Sequence, residues 1–244
     1  MTLRVEEITR EQHLAFVAGR DAASHMQVPS WGEVKPDWRA ESIGWFGGDG
    51  LIVGAALVLY RPVPRLKRYL AYLPEGPLIP WHEGELRPWL DPLVAHAKAR
   101  GAFTVRMGPP VVARRWEASR VKDAIADPAA GRLRDVEADV IEARAAEIVE
   151  QLRRLGWQQG PDGDTDGFSA GQPRYVFQVP FAGRSLEEIR GGLNQQWRRN
   201  IKKAEKAGVK VVEGGRLVLA GVFVVFAPTG RRGAVFPPPG RVLV

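Results

Sequence analysis

The side chains best suited to chemistry on an anion lie in Gln195-Gln196-Trp197-Arg198-Arg199-Asn200-Ile201-Lys202-Lys203-Ala204-Glu205-Lys206-Ala207-Gly208, which packs five cations and one Trp into a short run. The spacing predicts a helix. Trp197, Ile201 and Ala204 recur at i, i+4 and i+7 as one apolar stripe, and Arg199, Lys203 and Lys206 recur at the same spacing on another. Gly208 stands where a helix closes through a left-handed cap. A rod anchored by an indole and presenting guanidinium forks suits a phosphate-bearing partner, because the fork matches phosphate oxygens in pairs. A merely solvated basic face carries the same pattern, so the rest of the chain has to decide.

Two other stretches sit where ligands gather. Tyr72-Leu73-Pro74-Glu75-Gly76-Pro77 and Arg106-Met107-Gly108-Pro109-Pro110 each follow an apolar strand. Pro beside Gly at a strand end fixes a turn and lets backbone approach a neighbour. Such turns either line clefts in α/β folds or serve structure alone. The four histidines, His13, His25, His82 and His96, show no metal-ligand spacing, and His13 and His96 fall inside helical patterns. There is no G-x-S-x-G and no Walker loop. With no cysteine in the chain, thiolate catalysis, disulfides and Cys-based metal sites are excluded.

Positioning these residues falls to alternating strands and helices. Residues 3–8 read as a strand and 9–20 as a helix with Thr9 as N-cap. Ser30-Trp31-Gly32-Glu33 fits a capping box, and Pro36 forces its helix to be brief. That places Lys35 at the end of a turn between the expected core anchors Trp31, Val34 and Trp38. Strands are expected at 42–46, 51–60 and 68–73, with Gly47-Gly48-Asp49-Gly50 as a hairpin turn. The run 51–60 is continuously apolar and reads as a central strand. A helix is expected at 86–100, ended by Gly101, and a strand at 102–107. Residues 112–135 are basic and irregular. A helix at 138–155 ends at Gly156, and 158–172 reads as a loop. Strands follow at 175–179 and 209–212. Between them Ser185-Leu186-Glu187-Glu188 is a second capping box, Gly191-Gly192 breaks its helix, and Asn194 caps the basic one. Of eight Trp, most read as core, with Trp81, Trp89 and Trp116 as candidates for a groove.

The chain has 244 residues, 45% hydrophobic and 26% charged, a formal net charge of +7 and a pI near 10.0. That is enough chain to bury a core, and its charge favours RNA, phosphorylated metabolites or an anionic membrane face. The charged N-terminus lacks a signal-peptide core. No run approaches the ~18 apolar residues a membrane helix needs, so the expected location is the cytoplasm.

Several segments together resemble the FemABX peptidyltransferases. They are Ser30-Trp31-Gly32-Glu33-Val34-Lys35-Pro36-Asp37-Trp38, Leu59-Tyr60-Arg61-Pro62-Val63-Pro64 and the two Pro-Gly turns above. Gly171-Gln172-Pro173-Arg174-Tyr175-Val176-Phe177 and Trp197-Arg198-Arg199-Asn200-Ile201-Lys202-Lys203-Ala204 complete the set. Six motifs in family order from about 28 to 212 make a specific likeness, of actinobacterial flavour. It implies an α/β fold: an acetyltransferase-like (GNAT) lobe, a mixed sheet flanked by helices, with an incomplete second GNAT-like lobe. The implied division is 1–172 for the first lobe, 173–215 for the start of the second including the basic helix, and 216–244 as a remnant or aberrant tail. The implied activity is transfer of an amino acid, often glycine, from aminoacyl-tRNA to the stem peptide of a peptidoglycan precursor. The acceptor is lipid II or its UDP-linked form, with peripheral contact at the inner membrane face and no metal or coenzyme. By analogy Lys35 and either Arg198 or Arg199 hold the precursor diphosphate, and Tyr72 lines the same cleft.

Two departures stand out. The family's acidic residue after its Gly-Pro turn falls at Pro80 here, and family members run substantially longer, so the chain alone is expected to be weakly active or inactive. Two other function classes compete. An acetyl-CoA N-acetyltransferase needs an R-x-x-G-x-G/A pyrophosphate loop, which Arg153-Arg154-Leu155-Gly156-Trp157-Gln158 begins but does not complete. A non-catalytic RNA-binding module is allowed by the charge but lacks a paired-aromatic signature.

Overall fold

The apolar run 51–60 becomes the middle of a sheet buried on both faces. In a computed structural model that describes residues 3–160 and 172–211, the chain divides into two units, Met1–Gln172 and Pro173–Val244. The first carries a five-stranded sheet in the order β1 (Arg4–Glu7), β2 (Arg39–Phe46), β3 (Ile52–Pro62), β4 (Tyr69–Leu73), β5 (Ala102–Met107). The first four pair antiparallel, and β4 and β5 pair parallel. Parallel neighbours need a crossover, supplied by α2 (Arg87–Ala99). A mixed sheet flanked by helices is the α/β architecture that the resemblance implies.

Both sides of β3 are covered, which is why it shows no polar alternation. On one side Trp45, Ala56, Val58, Tyr60 and Leu73 pack against Leu90, Leu93 and Ala97 of α2 and Ile148 of α4 (Ala143–Arg154). Each large aliphatic side chain so buried contributes ~1.5–3 kcal/mol. On the other side Leu57 lies near Gly32 and Gln27, and Gly44 lies under Ile8. Here α1 (Arg10–Ala18) starts from a full capping box on Thr9.

Four local readings change. Ser30 lies inside a 3₁₀ turn spanning Pro29–Val34 whose N-cap is Val28, so it does not cap; the Glu33 carboxylate instead accepts from Arg10 at 2.7 Å. Trp31, Val34 and Trp38 are half-buried rather than core. The helix expected from 138 begins only at Ala143, because Val140–Ile141 (β7) pairs with Arg114–Arg115 (β6). Within the stretch that read as irregular lies α3 (Ala118–Ala126). Ahead of its first turn the Glu117 amide donates to the Asp139 carboxylate at 2.7 Å, a partner 22 residues away.

The second unit, described to residue 211, holds α5 (Leu186–Gly192) and α6 (Gln195–Lys206). Both begin as their sequences predict, α5 with a Ser185–Glu188 capping box and α6 with the Asn194 side chain accepting from the Trp197 amide. Gly208 takes φ +73 just past α6. The strands expected at 175–179 and 209–212 do not appear among the described residues, where 175–179 and 209–211 are irregular. Residue 212, the tail 216–244 and most of the loop 158–172 lie outside the described residues.

Candidate functional site

The carboxyl ends of β4 and β5 converge on one cluster. The Gly108 amide donates to the Leu73 carbonyl at 3.2 Å, so the parallel pair stays joined to its last residue. Beyond it Pro74-Glu75-Gly76-Pro77 turns away with a cis Gly76–Pro77 bond and Glu75 at φ +47. The buried Gln27 amide holds this turn. Its Nε2 donates to the Pro74 carbonyl at 2.6 Å, and its Oε1 accepts from the Leu57 amide at 3.0 Å. A Cβ on Gly76 would lie 2.5 Å from the Gln27 amide carbon, so only glycine lets the turn press onto that amide. The Ser24 hydroxyl donates to Glu75 Oε2 and itself accepts from the Met26 amide at 3.1 Å.

Tyr72, on β4, stands beside this turn. Its ring meets Trp38 edge-on at 6.4 Å, and Arg61 lies over Trp38 at 5.7 Å. Gln172 Nε2 donates to the Tyr72 hydroxyl at 2.7 Å and reaches Met26 Sδ at 3.5 Å. The Gln172 side chain also crowds Gly108, where an added Cβ would be 2.8 Å from its Cγ. Trp38, Tyr72, Gln172, Met26, Ser24 and Glu75 thus form a connected wall.

Lys35 is exposed at the end of the Pro29–Val34 turn. Its carbonyl accepts from the Trp38 amide at 2.9 Å. The same tight turn therefore carries Lys35 at one end and, at the other, the indole that touches Tyr72. Gly32 permits the approach of this turn to the sheet, since a Cβ there would sit 2.5 Å from that of Ala40.

Arg198 and Arg199 belong to the second unit, where they differ. Arg198 Nη1 donates to the Gly191 carbonyl at 3.3 Å, tying α6 to the end of α5, and Arg190 pairs with Glu205 at 3.1 Å. Arg199 has no partner among the described residues and is exposed, as are Lys203 and Lys206. Trp197 is 62% exposed, whereas Ile201 and Ala204 of the same stripe are half-buried.

His13, Glu41 and Tyr60, which titrate away from their ordinary ranges, serve structure. Burial alone pushes His13 down to about 4; its Nδ1 lies 2.8 Å from Ser42 Oγ. Burial opposes charge on Glu41, but its hydrogen bond with His96 and the charge of Arg100 outweigh it and hold the carboxyl below its usual range. Arg100 reaches Glu41 at 2.8 Å and Glu7 at 3.0 Å, linking α2 to β2 and β1. Burial first, then the Glu41 carboxylate, raises the Tyr60 phenol. Among the described residues no three His, Asp or Glu side chains gather to hold a metal ion.

Two expectations fall here. Trp81 is buried, its Nε1 donating to the Pro77 carbonyl at 2.9 Å, and Trp89 packs on the core, so neither faces a groove. Trp116 is half-buried with its Nε1 on the Val136 carbonyl. Arg153-Arg154-Leu155-Gly156 closes the carboxyl end of α4, with Gly156 at φ +83. A helix carboxyl end presents carbonyls rather than amides, the wrong polarity for a pyrophosphate. The sequence did not single out Ser24, Met26 and Glu75 as parts of the wall, nor Gln27 and Arg61 beside it. Glu75 and Gln172 stand inside motifs already singled out, whereas Gln27 has no local signal.

A sequence profile of the FemAB family matches residues 8–232. The chain is 26% identical over 230 residues to the lipid II:glycine glycyltransferase of Staphylococcus aureus (strain MRSA252), covering 92% of the chain and 47% of that protein. The same figures hold for the protein of that name from strain USA300. The chain therefore spans about half the length of the curated relatives it matches. The crystal structure of FemX superposes with a TM-score of 0.65 at 23% identity, over 98% of this chain and 52% of that one. At that identity the likeness speaks for the fold.

Proposed function

The chain belongs to the FemAB family, and from that premise we propose that it transfers an amino acid from aminoacyl-tRNA to an amine on the stem peptide of a peptidoglycan precursor. Glycine is the amino acid suggested by the name of the relatives, and the acceptor is lipid II or its UDP-linked counterpart. The amine nitrogen attacks the ester carbonyl carbon. A C–N bond forms, the C–O bond to the tRNA breaks, and the terminal ribose hydroxyl leaves carrying a proton. The ester is already activated, so placing amine and carbonyl together and stabilising the oxyanion can supply most of the rate.

In this reading residues 1–172 are the first lobe, 173–215 open the second, and 216–244 follow it. Lys35 and the basic helix grip the precursor diphosphate. Arg199 provides the fork, since its guanidinium is uncommitted, and Arg198 braces the α5–α6 corner beside it. Tyr72 lines the same site. No helix among the described residues is long and apolar enough to cross a membrane, and we place the reaction at the cytoplasmic face, where a lipid-linked acceptor meets charged tRNA. The observation that carries the reading is the short turn joining Lys35 to the Trp38–Tyr72 wall at the carboxyl ends of parallel strands, where open α/β sheets receive ligands.

Calorimetric titration of the chain with UDP-linked muropeptide, alongside acetyl-CoA, tests it. Binding of the muropeptide and none of acetyl-CoA supports the reading; the opposite pattern overturns it.

A further inference from the structure

Resting on that transferase reading, we propose that Glu75 binds the substrate's primary ammonium group, the amine that accepts the amino acid. Five observations converge on it.

Glu75 lies directly past the last ladder bond of the parallel β4–β5 pair, where the crevice of such a sheet opens. Its backbone is held at φ +47, uncommon for a residue with a Cβ. Such geometry persists only where the surroundings fix it. Gln27 does so, bonding Pro74 on one side of Glu75 and packing on Gly76 on the other. The carboxylate is therefore aimed by rigid backbone rather than by a free side chain.

Ser24 occupies one carboxylate oxygen as donor. No Lys, Arg or His pairs with Glu75 among the described residues. This is unusual for a half-buried carboxylate in a chain with 35 Lys and Arg against 28 Asp and Glu. Glu41, also away from water, has two basic partners.

The neighbours also suit an alkylammonium. The Tyr72 ring stands within the same wall, and an aromatic face attracts cations while covering an alkyl stem; the Trp38 ring beside it already carries Arg61. Gln172 donates to the Tyr72 oxygen, which leaves the phenolic hydrogen to donate in turn. A carboxylate for the ammonium, a ring for the chain behind it and a hydroxyl for a nearby carbonyl are what an amino-acid side chain ending in an amine requires. An anion at this point also keeps a second phosphate-bearing group away.

The test is a pair of UDP-linked muropeptides, one with its acceptor amine free and one with that amine acetylated, titrated into the full chain and its Glu75→Gln variant. Glutamine keeps the shape and can still accept from Ser24, and a thermal melt checks that the variant folds. The wild-type chain should bind the free-amine form about tenfold more tightly, as a charge-assisted contact implies. Glu75→Gln should lose that preference while binding the acetylated form as the wild type does. A wild-type chain that binds both muropeptides equally overturns the assignment and leaves the transferase reading standing. The same holds for a Glu75→Gln variant that keeps the full preference. Binding of neither muropeptide overturns both.

Discussion

The two units are built by different physics. In the first, strands and helices hold one another in place: Trp45, Tyr60, Leu73, Leu90, Leu93 and Ile148 are each at most 1% exposed. In the second, none of the described residues is buried, and Phe177 is 93% and Val211 100% exposed. The contacts that order its two helices are local, namely the Ser185 box, the Asn194 cap, the Arg190–Glu205 pair and the Arg198 link to Gly191. Helices can be started by their own caps. Strands cannot, since every ladder bond needs a neighbour. That is why α5 and α6 form as the sequence predicts, from signals in neighbouring residues.

The contrast can be broken in order of effect. Leu90→Ala should destabilise the first unit by about 2–5 kcal/mol, read by denaturant unfolding. Trp197→Ala should change the same midpoint by less than about 0.5 kcal/mol. Comparable losses would mean that the second unit is part of the same core.

Acid should act on the first unit through His13. Folding holds its imidazole neutral down to about 4 against an ordinary 6.5, so between those values the unfolded chain binds a proton that the folded chain refuses. Stability therefore falls as pH falls through that window, by up to about 3 kcal/mol at its lower end. Glu41 adds in the same direction below the ordinary carboxylate range, because its lowered pKa stabilises the fold only while it is ionised. Unfolding free energies at pH 7 and pH 5 should differ for the wild type and less so for His13→Gln. An unchanged slope would place the titration elsewhere.

The smallest effect is the most local. Ser185→Ala removes the α5 cap and should cost about 1 kcal/mol. Faster amide exchange should then appear in Leu186–Gly192 alone, with the unfolding midpoint of the first unit unmoved. Loss of protection in β3 would show that the two kinds of order are coupled.

Legibility followed the same divide. The core strands, α1, α2 and both caps of the second unit could be read because periodicity and capping are written in neighbouring residues. The ribbon of β6 and β7, and the start of α3, could not, since Asp139 serves Glu117 from far along the chain. The site was half legible. Lys35, Tyr72 and the Pro-Gly turn lie in recognisable motifs, but Gln27 and Ser24 matter only because folding brings them under Glu75. The difference between Arg198 and Arg199 is likewise invisible in sequence, because it depends on which guanidinium reaches the Gly191 carbonyl.

Lys35 and Arg199 are proposed above to grip one diphosphate. The most direct test is the affinity of UDP-linked muropeptide for Lys35→Ala, Arg199→Ala and the double variant, set beside a muropeptide lacking the diphosphate. A shared grip gives about a tenfold loss for each single variant, a non-additive double loss as expected for groups sharing one partner, and no change for the phosphate-free ligand. Unchanged affinity in either single variant, or equal losses for both ligands, would contradict it.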